Sequence, residues 1–187
     1  MAIWLDIIGS FVFGALLTLN VLRLNSDMTA QAYESSFTYM AQRNAAAIAE
    51  VMEDDLRKMG FGVTGTSITL ADSSQIRFLA DLEEDGAVDT LYYYVGSLSE
   101  ADDTPNPADR ILYRVLNGVA PPGMRLGVTK FALSYFGANG DSLALPVTPG
   151  NIQQIRVDLT VESTAPYDTT YARAFMQLRI RPRNLGS

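Results

Sequence analysis

The sequence predicts an α+β fold in which a long N-terminal helix precedes an antiparallel β-sheet head. No Pro occurs before Pro105, and no Gly occurs between Ala15 and Met59, so nothing in that region interrupts a helix. Apolar residues recur there at steps of three and four. After Gly60, short runs of β-branched and aromatic residues alternate with turn residues, as is typical of antiparallel strands.

The first 25 residues predict a transmembrane helix. From Ile3 to Leu22 the one ionisable side chain is Asp6, and about 20 helical residues span about 30 Å, the thickness of a bilayer's hydrocarbon core. No Lys or Arg precedes Arg23, and no small-x-small cleavage motif follows Leu22. We therefore expect a retained membrane anchor over residues 1–25 rather than a cleaved signal peptide.

Asp6, Gly9 and Gly14 are the candidate assembly residues of this segment. A carboxylate near a membrane span is costly unless it lies among the headgroups or has a partner. Asp6 either lies at headgroup level or pairs with the terminal amine of a neighbouring subunit after removal of Met1. Gly9 and Gly14 allow close approach of another helix.

Residues 26–60 predict an amphipathic continuation of the same helix. Its apolar stripe consists of Tyr33, Phe37, Met40, Ala41, Ala45, Ile48, Met52, Leu56 and Met59. Arg57 and Lys58 suit the last turn because cations interact favourably with the C-terminal end of a helix. Gly60 can adopt the left-handed conformation that ends a helix, with Phe61 making an accompanying apolar contact.

Residues 61–187 predict the β-rich head. Seven strands are expected, at Ser67–Leu70, Gln75–Leu82, Thr90–Val95, Ile111–Leu116, Thr129–Phe136, Ile152–Val161 and Tyr171–Ile180. Surface loops are expected at Glu100–Arg110, Val119–Gly127 and Asn139–Gly150.

The composition argues against several classes of function. With 14 basic and 21 acidic residues the net charge is −7, which argues against a nucleic-acid partner. The chain has no Cys and no His, which excludes thiol nucleophiles, disulfides, zinc sites built on these residues and imidazole catalysis. No phosphate-binding loop or nucleophile motif is present either. We therefore do not expect an enzyme.

The charges are unevenly distributed along the head. Residues 61–110 hold 10 acidic and 2 basic residues, whereas residues 111–187 hold 4 acidic and 8 basic residues. Two interpretations are open: the two regions dock on copies of the chain, or the charges interleave on one solvated surface after folding.

The acidic segment after Gln75–Leu82 partly matches a calcium-binding loop. Oxygen ligands occupy positions one, three, five and nine of this pattern, at Asp81, Glu83, Asp85 and Asp89. Gly86 stands at position six, but Tyr92 replaces the acidic residue expected at position twelve. The alternative is an acidic hairpin turn without a cofactor, in which Asp85 and Gly86 make the bend.

This architecture resembles the type IV pilins and type II secretion pseudopilins, in particular their minor subunits. The segment 54–62 (DDLRKMGFG) is similar to the helix end of minor pilins, and 128–135 (VTKFALSY) and 181–184 (RPRN) are similar to their later segments. The resemblance implies a structural subunit of a pilus-like filament or pseudopilus, assembled with copies of itself or other pilin-like subunits. It also implies a single-pass inner-membrane protein with its head outside the cytoplasm, exposed at the cell surface after assembly.

The start of the chain differs from that family. It carries neither the basic leader ending in Gly nor the Phe-Thr-Leu-x-Glu signature, so it is either a mature form or a leaderless relative in which Asp6 replaces the family's glutamate. Two other functions stay open. One is a single-span accessory subunit of a membrane complex, and the other is a membrane-anchored adhesin that binds through the Glu100–Arg110 and Asn139–Gly150 loops.

Overall fold

The computed structural model describes residues 2–119, 121–166 and 168–185, and it confirms the predicted α+β fold class. One long helix precedes one sheet of eight strands, all of whose pairings are antiparallel. The elements are α1 (Ala2–Lys58), β1 (Ile68–Ala71), β2 (Gln75–Ala80), β3 (Asp89–Val95), β4 (Arg110–Leu116), β5 (Met124–Phe136), β6 (Ser142–Leu143), β7 (Gln154–Glu162) and β8 (Arg173–Ile180). Short 3-10 helices lie at Leu98–Ala101 and Pro149–Asn151.

The chain divides into two compact units, Met1–Phe37 and Thr38–Ser187. The end of α1 therefore belongs to the same unit as the sheet. The predicted apolar stripe is buried from Ala41 onward, at Ala41, Ala45, Ile48, Met52, Leu56 and Met59. Earlier in the stripe, Tyr33 is 56% exposed and Met40 is 50% exposed. The head thus uses only the second part of the stripe for its core.

The strands are arranged in the order β1-β2-β3-β4-β5-β7-β8, with β6 paired to β5. Side chains alternate between the two faces of each strand, and the inward set of β7 is buried as predicted, at Ile155, Val157, Leu159 and Val161. Phe131, Leu133 and Tyr135 of β5 are buried in the same core as the helix stripe. Each such side chain contributes about 1.5–3 kcal/mol relative to an exposed one.

The sheet and the C-terminal segment fix the end of the helix. Gly60 has a φ of +79°, as predicted, and its N–H donates to the Leu79 carbonyl of β2 at 2.9 Å. A Cβ at this position would lie 2.6 Å from the Asn184 carbonyl oxygen. Phe61 stays 41% exposed, so its predicted apolar contact contributes less to the helix end than these backbone contacts do.

Two strand predictions were wrong. Val119–Gly127 was expected to be a loop, but β5 already begins at Met124. The first part of β5 pairs with β4 across a register shift. The periodicity of the sequence distinguishes helix from strand but does not reveal such a shift. The two-residue strand β6 was also expected to be part of a loop, and it is too short to show a period.

Gly127 allows β5 to change partners. It has a φ of +76°, and a Cβ there would lie 2.2 Å from the Glu162 carbonyl oxygen of β7. Register shifts in the pairings to β4 and β7 flank this position. The next residue, Val128, pairs with both Arg110 of β4 and Val161 of β7, so a residue without a side chain is required where the two pairings of β5 meet.

We predict that Gly127→Ala lowers the free energy of unfolding by more than about 2 kcal/mol, because the methyl group adds a backbone clash to left-handed strain. Gly140→Ala is the matched control, since Gly140 has a φ of +84° but open space around its Cβ position. It should cost only about 1–2 kcal/mol. Urea denaturation followed by the near-ultraviolet circular dichroism of the tyrosines measures both. Equal losses would contradict the role assigned to the close approach.

Candidate assembly surface

The first part of α1 exposes its apolar side chains. From Ile3 to Leu24 every large apolar side chain is about half exposed or more, from 49% at Ile7 to 80% at Phe11. By length and composition this helix can cross a membrane, and none of its most apolar 18-residue window is buried inside the protein. This surface needs a lipid or protein environment, because leaving one such side chain in water costs about 1.5–3 kcal/mol.

The hydroxyl and amide side chains of this segment donate to the helix itself. Ser10 donates to the Asp6 carbonyl at 2.8 Å, Thr18 to the Gly14 carbonyl at 2.9 Å and Asn20 to the Leu16 carbonyl at 2.9 Å. Back-bonding to the carbonyl four residues earlier satisfies a donor without water. These residues are therefore compatible with a lipid or helix-packed environment.

The candidate assembly residues share one half of the helix circumference. With a rotation of about 100° per residue, Asp6, Gly9 and Gly14 lie on the same half as Ser10, Thr18 and Asn20. The opposite half, between Ile3 and Leu22, carries apolar side chains alone, at Trp4, Leu5, Ile8, Phe11, Val12, Ala15, Leu16, Leu19 and Leu22. The half with the small and polar groups also carries large apolar side chains, at Ile3, Ile7, Phe13, Leu17 and Val21. The segment thus has one half in which small, polar and apolar groups are mixed and one half that is uniformly apolar.

Space is open around all three candidate residues. A Cβ at Gly9 or Gly14 would meet no atom within 4 Å. Within residues 2–119, 121–166 and 168–185, the Asp6 carboxylate forms no ion pair, although the Asp6 backbone carbonyl accepts from Ser10.

The candidate calcium loop forms the connection between β2 and β3. The Asp81 carboxylate accepts from the backbone N–H groups of Asp85 at 3.2 Å and Gly86 at 2.9 Å. Asp89 accepts from the Leu82 N–H at 3.1 Å and from Asn117 Nδ2 at 2.7 Å. Among the described residues, no three acidic side chains converge in a way that could hold a metal ion. Calcium binding stays a prediction, whereas these bonds match an acidic hairpin.

The head contains a buried ionic cluster that links the helix to the sheet. Asp55 of α1 is 4% exposed and receives two hydrogen bonds from Arg114 of β4, Nε at 2.7 Å and Nη2 at 2.9 Å. The fully buried Tyr93 of β3 donates its hydroxyl to the same carboxylate. Burial and the neighbouring Asp55 charge raise the Tyr93 pKa, which keeps this hydroxyl protonated.

Sequence reasoning missed this cluster, although two signals were present. Glu53, Asp54 and Asp55 follow one another along the helix and so point in different directions, and only Asp55 lies beside the apolar stripe. Asp55 follows Met52 by three residues and precedes Met59 by four, the spacing of one helix face. Arg114 likewise lies two residues after Leu112 and two before Leu116, which is the spacing of one face of a strand.

Tyrosines of β3 and β4 form a ladder on the outer face of the sheet. Tyr92 and Tyr94 stack with centroids 4.8 Å apart, and Tyr94 stacks on Tyr113 of β4 at the same distance. The Arg77 guanidinium lies 4.6 Å from the Tyr92 centroid. Tyr113 donates to Glu100 Oε2 at 2.7 Å, and this bond is the main cause of the lowered Glu100 pKa. Packing and hydrogen bonding therefore account for these rings.

The Glu100–Arg110 loop is anchored at its centre. Asn106 is 2% exposed and donates to Glu162 Oε2 at 3.1 Å, while Arg173 Nε donates to Oε1 of the same residue at 2.8 Å. Asp109 is buried beside them, and its Oδ1 has no hydrogen-bond partner among the described atoms. Burial is the main cause of its raised pKa. Asn106 and Asp109 therefore fix the loop to the packed head, while six of its eleven residues stay exposed.

We predict that Asp55→Asn lowers the free energy of unfolding by about 3 kcal/mol, because it leaves a partly buried guanidinium without its counter-charge. The neighbouring Asp54 pairs with Lys58 at 3.4 Å and has a 69% exposed side chain, so Asp54→Asn is the matched control and should cost less than about 1 kcal/mol. Urea denaturation followed by circular dichroism measures both variants. Equal losses of unfolding free energy would show that the buried pair of Asp55 and Arg114 stabilises the head no more than the exposed pair of Asp54 and Lys58.

Comparison with protein-family models, with curated proteins and with solved structures gives no match for this chain. The resemblance to pilins and pseudopilins therefore stays a prediction from the sequence segments and the order of the elements.

Proposed function

We propose that this protein is a structural subunit of a type IV pilus-like filament or pseudopilus, anchored and assembled through its N-terminal helix. The observation that supports this function best is the unburied apolar surface from Ile3 to Leu24. Its combined cost in water would exceed the net stability of a typical domain, about 5–15 kcal/mol. A membrane stores such a surface before assembly, and neighbouring helices cover it in a filament.

The two halves of the helix circumference suit these two environments. The uniformly apolar half is compatible with lipid, and the half with Gly9 and Gly14 permits close helix packing. On leaving the headgroup region, the Asp6 carboxylate would lose water and need a cationic partner. The proposed partner is a terminal amine of a neighbouring copy or of another pilin-like subunit.

The proposed location follows from the same helix. Before assembly the chain is a single-pass inner-membrane protein with its head outside the cytoplasm, and after assembly it is part of a surface filament. A single-span accessory subunit would use the same anchor without polymerising. Filament formation therefore distinguishes the two functions.

We predict that cells expressing the full chain together with the assembly machinery of a type IV pilus or type II secretion system release filaments on shearing. Negative-stain microscopy and immunogold labelling of a loop tag in the head detect them. A strain that lacks the assembly ATPase is the control. Membrane-bound protein without labelled filaments in any of these strains would contradict the filament function and favour the accessory subunit.

We predict that Asp6→Ala weakens assembly about tenfold or more, because a desolvated charge-assisted hydrogen bond contributes about 1.5–3 kcal/mol. Asp27→Ala removes the same charge from an exposed position further along α1 and should leave assembly nearly unchanged. Quantitative immunoblots of sheared and membrane fractions measure the ratio. Equal assembly of the two variants would remove the pairing assigned to Asp6.

A further inference from the structure

Two arginines face each other on the outer side of the sheet. Arg156 of β7 and Arg179 of β8 are directly paired in the strand register. Their guanidinium carbons lie 5.6 Å and 4.9 Å from the ring centroid of Phe136 of β5, so both stack on one ring. Phe175, which is 61% exposed, lies four residues before Arg179 on the same face of β8. We call Phe136, Arg156, Phe175 and Arg179 the arginine patch.

Of the two positive charges in the arginine patch, that of Arg156 is paired with Asp158, whereas that of Arg179 is not neutralised within the described chain. Like charges directly opposite each other destabilise a strand pair. Asp158 Oδ2 pairs with Arg156 Nε at 3.2 Å, and Asp158 Oδ1 accepts from Gln177 at 2.6 Å. Arg179 has no ion pair with any described residue. The patch therefore presents a guanidinium, held flat by a ring, that can receive a carboxylate from another molecule.

The connection between β2 and β3 carries the opposite charge. Glu83, Glu84 and Asp85 are exposed, and none of them forms an ion pair within the described part of the chain. Val88, three residues after Asp85, is 46% exposed. We call residues 83–88 the acidic hairpin.

The backbone of the acidic hairpin is ordered from inside the head. The buried Asp81 accepts from two N–H groups of the turn, and Asp85 Oδ1 accepts from the Ala87 N–H at 2.9 Å. The Glu83 and Glu84 side chains make none of these bonds. Binding through them would thus cost little backbone ordering.

We propose that the arginine patch is a docking site for the acidic hairpin of a second copy of this chain. The two surfaces are complementary in charge, because the hairpin carries carboxylates and the patch carries guanidinium groups. Each surface also has an exposed apolar side chain, Val88 on the hairpin and Phe175 on the patch. The inference rests on the proposed function, because it identifies head surfaces through which neighbouring subunits contact each other. Because patch and hairpin are different surfaces, repeated docking can continue from copy to copy.

Cysteine cross-linking tests the contact directly, since the chain has no cysteine of its own. Two differently tagged full-length chains, one with Glu83→Cys and the other with Arg179→Cys, are co-expressed in membranes and oxidised. We expect a mixed disulfide that is several-fold more abundant than with Lys130→Cys in place of Arg179→Cys. Lys130 is an exposed cation on the same face of the sheet. It lies in β5, four residues before Ser134, the residue that pairs with Arg156.

A charge exchange gives the second readout. Glu83→Arg and Arg179→Glu should each lower chemical cross-linking of the full-length chain about tenfold, and the double variant should restore most of it. Lys130→Glu changes the net charge by the same amount as Arg179→Glu and should leave cross-linking unchanged. Loss in both single variants without recovery in the double variant would overturn the proposal.

The result is separable from that for the filament function. Filaments without the mixed disulfide would overturn the docking site and leave the filament function standing. The mixed disulfide without filaments would support the docking site in a smaller assembly and contradict the filament function. Binding of the arginine patch to vesicles of anionic lipid, lost with Arg179→Glu and without any mixed disulfide, would assign the patch to lipid headgroups and overturn the proposal.

Discussion

The apolar side of residues 41–59 of α1 is buried against the inner face of the sheet, and the arrangement of the head depends on that contact. Ile48, Met52 and Leu56 are fully buried in one core with the inward side chains of the strands. The buried Asp55 adds a directional bond to this contact, because its carboxylate binds side chains of two neighbouring strands. Apolar burial supplies most of the free energy of packing between the helix and the sheet. The ionic cluster favours one position of the helix along the sheet.

The same helix begins with a surface that the protein does not cover. Between Ile3 and Leu24 the apolar side chains are exposed, and Ser10, Thr18 and Asn20 donate to carbonyls of the helix. Both features suit an environment without water, in which a helix must satisfy its own polar groups. A helix with one covered part and one uncovered part supports the proposal of a subunit that is stored in a membrane and completed by its neighbours.

The charges of the head fall into two groups with different physical roles. Asp55, Glu162 and their arginine partners are buried or half-buried and hold elements of one chain together. The acidic hairpin and the arginine patch lie on the surface and have no full set of partners within the described chain. The pair Asp103–Arg125 joins the acidic and the basic region of the head, as the interpretation of interleaved charges predicts, whereas docking of the two regions on copies of the chain stays a prediction.

The sequence by itself determined the helix, its end near Gly60 and most strands, because these depend on periods and breakers that act over a few residues. It also determined the uncovered apolar segment and the positions of Asp6, Gly9 and Gly14, since no tertiary contact alters them. Only the tertiary structure decided that Asp55 meets Tyr93 and Arg114, that β5 starts at Met124 and changes partners at Gly127, and that Arg156 faces Arg179. These features depend on register and on contacts between residues far apart in the chain, which no local pattern records.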